Sequence, residues 1–319
     1  MKKRRTILIT SVGGDIGQSI IKCVRDSMPA DRIIGCDIDL FAAGKHFADR
    51  FYVCPRAADK SKYKRFILNL VKTAKVDYVL PVSEPEIFFF DSNRDIFKDS
   101  KVQILINKHG LVKTFFDKYA TAVFLKQNGL PYPKTYLLSK YKNQLKFPML
   151  IKPRWGWGGK GAVHVRNNSE LRFHRKKTDN AIVQEILGTP ENEYTATVFS
   201  DGKKYFSIAF RRQLGYGSLT KVAELINDRD ISRISERIAK KAGLFGSVNI
   251  QFRKTSKGYV PFEVNPRISS TVYFRHYFGF SDVYWWINSS EKRKISFRLK
   301  YRKGVAVRCL NEIFLDLKK

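Results

Sequence analysis

The sequence predicts an α/β front domain built on a parallel sheet, followed by a strand-rich α+β domain. Three observations carry this expectation. Short apolar runs alternate with helical stretches over the first hundred residues, as in a parallel sheet. A glycine turn, Gly13-Gly14 with Gly17, joins the first run to the first helix. Beyond residue 181, apolar runs are separated by the turn signals Asp201-Gly202 and Lys257-Gly258, which mark antiparallel hairpins.

Taken in order, TILIT (6–10) reads as a buried strand and about 16–26 as a helix. RIIGCDID (32–39), DYVLPVSEPE (77–86) and VQILIN (102–107) supply further strands of the same sheet, and a boundary is expected near 108–112. The next segment, FFDKYATAVFLKQNGLPYPKTY, is a helix stopped by Gly129 and followed by a proline-punctuated extended stretch. FPMLIKP (147–153) and GAVHVRN (161–167) read as a hairpin flap closed by the glycine-rich loop of KPRWGWGGKG (152–161). AIVQEIL (181–187), residues 193–212 and residues 246–267 are strand-rich, and DISRISERIAKKAGL (230–244) has a helical period with a glycine stop. The expected divisions are 1–110, 111–183 and 184–319.

Composition bounds the function classes. The chain has 319 residues with 43% apolar content, and no apolar run approaches the roughly 20 residues needed to span a bilayer. MKKRRTILIT has the charge order of a secretory leader, but its apolar part runs straight into the glycine turn and reads as a first strand. Cys23, Cys36, Cys54 and Cys309 are scattered without metal-ligand spacing, which points to a reduced, cytoplasmic protein. Sixty Lys+Arg against 29 Asp+Glu give a net charge of +31. Such an excess attracts nucleic acid, an anionic membrane surface or an acidic substrate; spread over a solvated surface it is compositional bias. Its densest stretches are KKRR (2–5), RFHRKK (172–177) and KRKISFRLKYRK (292–303).

The residues with chemistry lie in NIQFRKTSKGYVPFEVNPR. On a strand–turn–strand hairpin Glu263 and Asn265, two apart, share a face, and Gln251 on the facing strand can join them. One carboxylate and two amide oxygens make a hard-oxygen set suited to Mg²⁺ beside phosphates, or to an ordinary solvated strand face. The glycine loop lacks the P-loop spelling, since Gly161 follows Lys160. The front turn places Val12 where a dinucleotide fingerprint needs its first glycine, so a nicotinamide-binding site there rests on a degenerate motif.

FEVNPR after a glutamine-bearing strand resembles the metal-binding signature of the ATP-grasp superfamily, near its carbamoyl phosphate synthase-like branch. Other motifs follow in that family's order along nearly the whole chain. Asp117-Lys118 resembles the early DK whose lysine reaches the nucleotide phosphates. Lys152 matches the cation at the α-phosphate and adenine side. Gly156, Gly158, Gly159, Lys160 and Gly161 resemble the flexible loop that closes over the β- and γ-phosphates. Glu185, Ile186 and Leu187 resemble the hinge that reads adenine, Glu193 the ribose acceptor, and Arg267 a γ-phosphate contact. Gln251, Glu263 and Asn265 would hold Mg²⁺, with Mn²⁺ as a substitute. The implied fold is a Rossmann-like pre-ATP-grasp domain followed by an ATP-grasp domain of two subdomains.

The resemblance implies ADP-forming carboxylate–amine ligation through an acyl phosphate, using ATP. The expected partners are an amine and the carboxylate of an acidic small molecule or glycan, and the excess charge adds an anionic surface or polyanion; similar proteins are commonly dimers. Arg211, with Arg212 beside it, is the candidate for the substrate carboxylate or acyl phosphate, since a guanidinium holds such groups bidentately; a surface pair is the other reading. Glu84 and Glu86 are placed at a strand end where they would hold an amine. Trp155 and Trp157 either stack on an acceptor or pin the flap. Trp285 and Trp286 are core residues or part of a membrane-facing patch with the basic tail, which would make the protein peripheral at the membrane. The competing function is an ATP-binding protein whose basic surface binds nucleic acid or an anionic membrane, without ligase activity.

Overall fold

The computed structural model describes residues 4–98, 100–156, 158–215, 217, 219–300, 303–309 and 311–313. The chain divides into two compact units. The first runs to Ile106 and resumes from Arg267 to residue 300 and again from Val307; the second comprises Asn107–Pro266 with residues 303–306. The expected span 184–319 is therefore not one body: at Arg267 the chain returns to the first unit.

The first unit opens with β1 (Thr6–Thr10), α1 (Asp15–Ser27), β2 (Arg32–Asp37), β3 (Arg50–Val53), α2 (Lys60–Thr73), β4 (Tyr78–Leu80), α3 (Glu84–Ser92) and β5 (Gln103–Ile104). The strands form a parallel sheet in the order β3-β2-β1-β4-β5. A central parallel strand is covered on both faces, which is why Ile7, Leu8 and Ile9 form a continuous apolar run with no exposure at all. The β1–α1 turn needs its glycine at residue 17, since a Cβ there would lie 2.5 Å from the Ser11 carbonyl oxygen.

The stretch expected as a strand over 77–86 is a strand only to Leu80; Pro81 lacks a ladder N–H, and Ser83 caps a helix instead. This moves Glu84 and Glu86 onto α3 and changes their role. Glu86 is buried, and its Oε2 accepts from Thr10 Oγ1 (2.7 Å), Ser11 Oγ (2.7 Å), Ser83 Oγ (2.6 Å) and Ser83 N–H (3.1 Å). Tyr63 donates to its Oε1 at 3.1 Å. Glu86 ties β1, α2 and α3 together rather than holding an amine. Glu84 is likewise buried in the first turn of the helix.

The second unit begins with α4 (His109–Phe116) and α5 (Lys118–Gln127), then β6 (Thr135–Leu137), β7 (Met149–Pro153), β8 (Val163–Val165), α6 (Asn168–Lys177) and β9 (Ala181–Glu185). It continues through β10 (Glu193–Ser200), β11 (Tyr205–Leu214), β12 (Thr220–Ile226), α7 (Arg229–Lys241), β13 (Gly246–Thr255) and β14 (Gly258–Asn265). Two sheets result: β6-β9-β7-β8, and β14-β13-β10-β11-β12 with β15 (Val305–Val307) at its edge. β7 and β8 pair antiparallel, forming the expected flap, and both turn signals close hairpins, β10–β11 and β13–β14.

Alternation on the long strands sorts side chains by face. Tyr194, Ala196 and Val198 of β10, Ile250 and Phe252 of β13 and Val264 of β14 pack with Ile231, Ile238 and Ala239 of α7 in one apolar cluster. Burial of each large side chain contributes about 1.5–3 kcal/mol. On the opposite face the intervening residues Glu193, Thr195 and Thr197 of β10 and Asn249, Gln251 and Arg253 of β13 are polar, while Phe199 of β10 and Ile208 and Phe210 of β11 keep the rest of that face apolar. Back in the first unit, α8 (Val272–Tyr277) and α9 (Asp282–Ser290) are the last helices among the described residues; Trp285 and Trp286 on α9 are 3% exposed, so the core reading of this pair holds. No helix among the described residues is long and apolar enough to cross a membrane.

Candidate nucleotide and metal site

The polar face of the six-stranded sheet gathers the chemistry. The β13–β14 ladder pairs Gln251 with Glu263 and Asn249 with Asn265, and the β10–β13 ladder pairs Thr195 with Gln251 and Glu193 with Arg253. All of these residues point to one side. At a bulge the one-residue step from Gln251 to Phe252 on β13 is matched by a two-residue step from Glu263 to Pro261 on β14, leaving Phe262 as the extra residue.

Asn265 donates from Nδ2 to Glu263 Oε1 at 2.9 Å, which turns its own Oδ1 away as a free acceptor. Thr195 Oγ1 donates to Asn249 Oδ1 at 2.7 Å beneath them. Gln251, Glu263 and Asn265 thus form a set of oxygen donors with one carboxylate. A hard divalent cation that also takes phosphate oxygens suits that set.

Lys152, on β7 of the smaller sheet, faces this group. Burial pulls its ammonium down from the usual 10.5 to about 8; Glu263 pulls the other way and Lys118 adds to the depression. It lies 5.8 Å from the Phe262 ring centre and forms no ion pair among the described residues. A buried cation without a counter-ion is costly, and an anion such as phosphate relieves that cost. The residues present therefore fit a metal-bound polyphosphate.

Lys118 and the root of the flap are built together. Asp117 caps α5 by accepting from Tyr119 and Ala120 N–H (2.9 and 3.2 Å), and Arg154 clamps the same carboxylate at 2.5–2.9 Å. The Lys118 N–H donates to the Arg154 carbonyl at 3.0 Å, and its Nζ donates to the Gly156 carbonyl. Trp155 is half exposed, with Arg154 4.6 Å from its ring centre, so it stacks on the flap's anchoring arginine. Trp157 lies outside the described residues. In the loop beyond, Gly156, Gly158, Gly159 and Gly161 all have positive φ, from 67° to 112°, and Lys160 is exposed. At Gly156 and Gly159 a Cβ would meet nothing, so backbone conformation, not space, calls for glycine there.

Glu185 ends β9; its N–H donates to the Lys134 carbonyl and its side chain accepts the Lys134 N–H at 2.7 Å. Its carboxylate is thus occupied in holding β6 to β9. Ile186 and Leu187 follow where the strand stops, exposed and half-buried respectively. Gly188 then makes a close crossing: a Cβ there would lie 2.8 Å from the Lys254 carbonyl oxygen.

The two arginines at the end of β11 part company. Tyr194 pairs with Arg211, so Arg211 falls on the α7 side of the sheet, where it is exposed and donates to the Glu191 carbonyl at 3.2 Å. Arg212, one residue on, takes the site face. It is 7% exposed and donates from Nε (2.8 Å) and Nη2 (2.5 Å) to Glu193 Oε1. Arg211, the arginine expected to contact substrate, is on the wrong face for the oxygen-donor set.

Glu193 is the hub of a buried charge cluster. Its second oxygen pairs with Arg253 at 2.7 Å, and the Arg253 guanidinium lies 5.8 Å from the Phe262 ring centre and donates to the Thr189 carbonyl. Both Glu193 oxygens are therefore committed to arginines, which hold the carboxylate at a defined place on the site face. Arg154, Arg253 and Phe262 were not singled out from sequence. Arg253 was within reach, because it lies two residues from Gln251 on the same strand face; Arg154 and Phe262 depend on pairings between distant segments.

Arg267 belongs to the first unit. It donates from Nη1 to the Ile268 carbonyl at 3.0 Å, its Nε is buried without a hydrogen-bond partner among the described residues, and it lowers the pKa of Asp15 less than burial raises it.

Comparison with known proteins agrees with this geometry. A family model described as "ATP-grasp domain" matches residues 115–271, and one described as "PylC-like, N-terminal domain" matches 7–105. Carbamoyl-phosphate synthase from Methanobrevibacter smithii is 21% identical over 243 residues, covering 70% of this chain and 65% of that protein, so the chain spans under two thirds of that curated relative. An N5-carboxyaminoimidazole synthetase from Staphylococcus aureus, solved with ADP, superposes with a TM-score of 0.77 at 15% identity over 97% of this chain and 83% of that one. The L-amino acid ligase from Bacillus licheniformis gives 0.69 at 17% identity over 87% and 70%. Biotin carboxylase from Campylobacter jejuni gives 0.74 at 15% over 93% and 74%. These likenesses in structure are likenesses of fold. With an α/β domain ahead of two sheets that face each other across a cation and an oxygen-donor set, the chain carries an ATP-grasp domain over residues 115–271 behind a PylC-like amino-terminal domain over residues 7–105.

Proposed function

We propose that the protein is an ADP-forming carboxylate–amine ligase that makes an amide or peptide bond on an acidic small molecule or acidic glycan. The observation that carries this reading is Lys152, a buried cation without an ion pair that faces Glu263, with Gln251 and Asn265 on the same sheet face. A free carboxylate is a poor electrophile. Transfer of the γ-phosphoryl group to it gives an acyl phosphate and ADP, and an amine then attacks the carbonyl carbon, expelling phosphate and losing a proton.

In this reading Gln251, Glu263 and Asn265 hold Mg²⁺ or Mn²⁺, which would neutralise charge on the transferring phosphoryl group when bound. Lys152, Lys118 and Lys160 neutralise the remaining phosphate charge, and backbone N–H groups at Gly156, Gly158, Gly159 and Gly161 approach phosphate without a Cβ between. Ile186 and Leu187 present backbone groups to adenine, beside Glu185. Glu193 is set by Arg212 and Arg253 to accept ribose hydroxyls. Arg212, on the site face, takes the role first given to Arg211 and stabilises the anionic end of the acceptor. No covalent enzyme nucleophile is needed: alignment and charge neutralisation suffice.

The test is ADP release from Mg²⁺-ATP against a panel of amino acids, dicarboxylates and uronic acids, each with added amines. Release that needs both a carboxylate and an amine, and that falls about 100-fold or more in Glu263→Gln, is the expected result. ATP binding without release on any pair would remove the small-molecule substrate class; absence of ATP binding would overturn the reading.

A further inference from the structure

On the side of the six-stranded sheet away from the chemistry, α7 presents a feature that ligation does not use. Its inner side packs into the apolar cluster through Ile231, Ile238 and Ala239. Its outer side carries Arg229, Arg233, Arg237 and Lys240, all exposed and all lining one groove of about 660 Å³ beside β11. At 1.5 Å per residue these eleven steps make a row about 16 Å long, with roughly 6 Å between successive arginines. Asp228 and Glu236 line the same groove but are half-buried and held toward the protein, below the exposed cations. Asp228 caps the helix and accepts from Tyr259 at 2.8 Å, Glu236 accepts from Ser207 at 2.7 Å, and Asp230 pairs with Arg233. Arg229, Arg237 and Lys240 form no ion pair among the described residues.

We propose that this groove binds a linear phosphate-bearing polyanion, read through its phosphates alone. Regularly spaced cations along a rigid helix match a chain with charges at regular intervals better than they match a compact anion. The groove's floor supports this: the half-buried Tyr205 packs on the core beneath, leaving charge rather than stacking as the means of recognition. The net charge of +31 makes weak attraction to any polyanion general over the surface, so the proposal concerns where binding is concentrated.

The experiment measures binding of the full chain to a fluorescent 15-nucleotide oligo(dT) and to inorganic polyphosphate of matched phosphate number, across a salt series. Two triple variants remove equal charge: Arg229→Gln with Arg237→Gln and Lys240→Gln on α7, and Arg172→Gln with Lys176→Gln and Lys177→Gln on α6. The α7 variant should lose affinity about tenfold or more near 100 mM salt, with its log–log salt slope shallower by about 2, while the α6 variant stays within about threefold of the parent. Arg229→Lys with Arg237→Lys should keep most of the affinity, and thermal melting of every variant checks the fold. Both probes should compete for one site, the tighter one identifying whether a nucleic acid or another polyphosphate is the better source. Equal loss in the two triple variants, no loss in the α7 variant, or binding of oligo(dT) without polyphosphate would overturn the proposal.

Discussion

The two faces of the six-stranded sheet are made by the same strands and obey opposite rules. Toward α7, every second residue of β10, β13 and β14 is apolar, and the side chains are interchangeable in kind though not in volume. Toward the smaller sheet, the alternate residues Glu193, Thr195, Gln251, Arg253, Glu263 and Asn265 are polar and largely buried, with Glu193 paired to Arg253, Asn265 bonded to Glu263 and Thr195 bonded to Asn249. The lesson is that one strand can supply stability and chemistry at once because its side chains alternate with a period of two. The cost is sensitivity to register: a slip of one residue exchanges the core for the site.

The sharpest way to break this comparison is at Arg211 and Arg212. Arg212→Ala leaves Glu193 buried with Arg253 as its remaining partner and should cost about 3–5 kcal/mol in denaturant unfolding. Arg211→Ala, one residue away, should stay within about 0.5 kcal/mol. Similar losses at both would mean that the faces are not distinct. Next in size, Ile250→Ala should cost about 2–5 kcal/mol by leaving a cavity in the core. Its neighbour Gln251→Ala should unfold almost as the parent does and instead weaken Mg²⁺-dependent ATP binding, so that paired melting and binding curves separate the faces.

Lys152 supplies a pH test. Its proton leaves near pH 8 in the folded chain and near 10.5 in an ordinary lysine. Between these values the unfolded chain holds more protons, so stability should rise with pH over this window, the buried charge being relieved. Nucleotide affinity has the opposite sign, because phosphate needs the ammonium: it should be flat below about pH 8 and fall by up to tenfold per unit above it. Glu263→Gln removes the group that holds the proton on and should move the fall to lower pH; isothermal titration at several pH values reads both. The smallest effect expected is at the flap, where Gly159→Ala puts a side chain at a φ of +67° without a clash and should raise the apparent KM for ATP a few-fold.

Much of this architecture was legible in the chain. β1, α1 and α7, the flap hairpin and the β13–β14 hairpin follow from apolar period, glycine stops and turn dipeptides, all local signals. Glu263 and Asn265 could be put on one face from spacing alone, whereas Gln251 joins them only because the bulge at Phe262 brings it opposite Glu263. Glu84 and Glu86 could not be read correctly, because whether VSEPE extends a strand or caps a helix depends on Thr10, Ser11 and Tyr63, which are distant in sequence. Arg211 was preferred to Arg212 for a similar reason. Neighbouring arginines at a strand end are equivalent until a partner strand fixes which of them faces Glu193.

The sequence by itself determined the elements, the family's ordered motifs and the set of groups able to meet a metal and phosphate, because helical period, strand alternation and turn chemistry act over a few residues. Only the tertiary structure decided which charges are in use. It buried Lys152 opposite Glu263, gave Glu193 to two arginines, locked Asp117 under Arg154 and returned the chain at Arg267 to the first unit. Burial and pairing come from segments far apart in the chain, and they set whether an ionisable side chain is a structural tie or is left to receive a ligand.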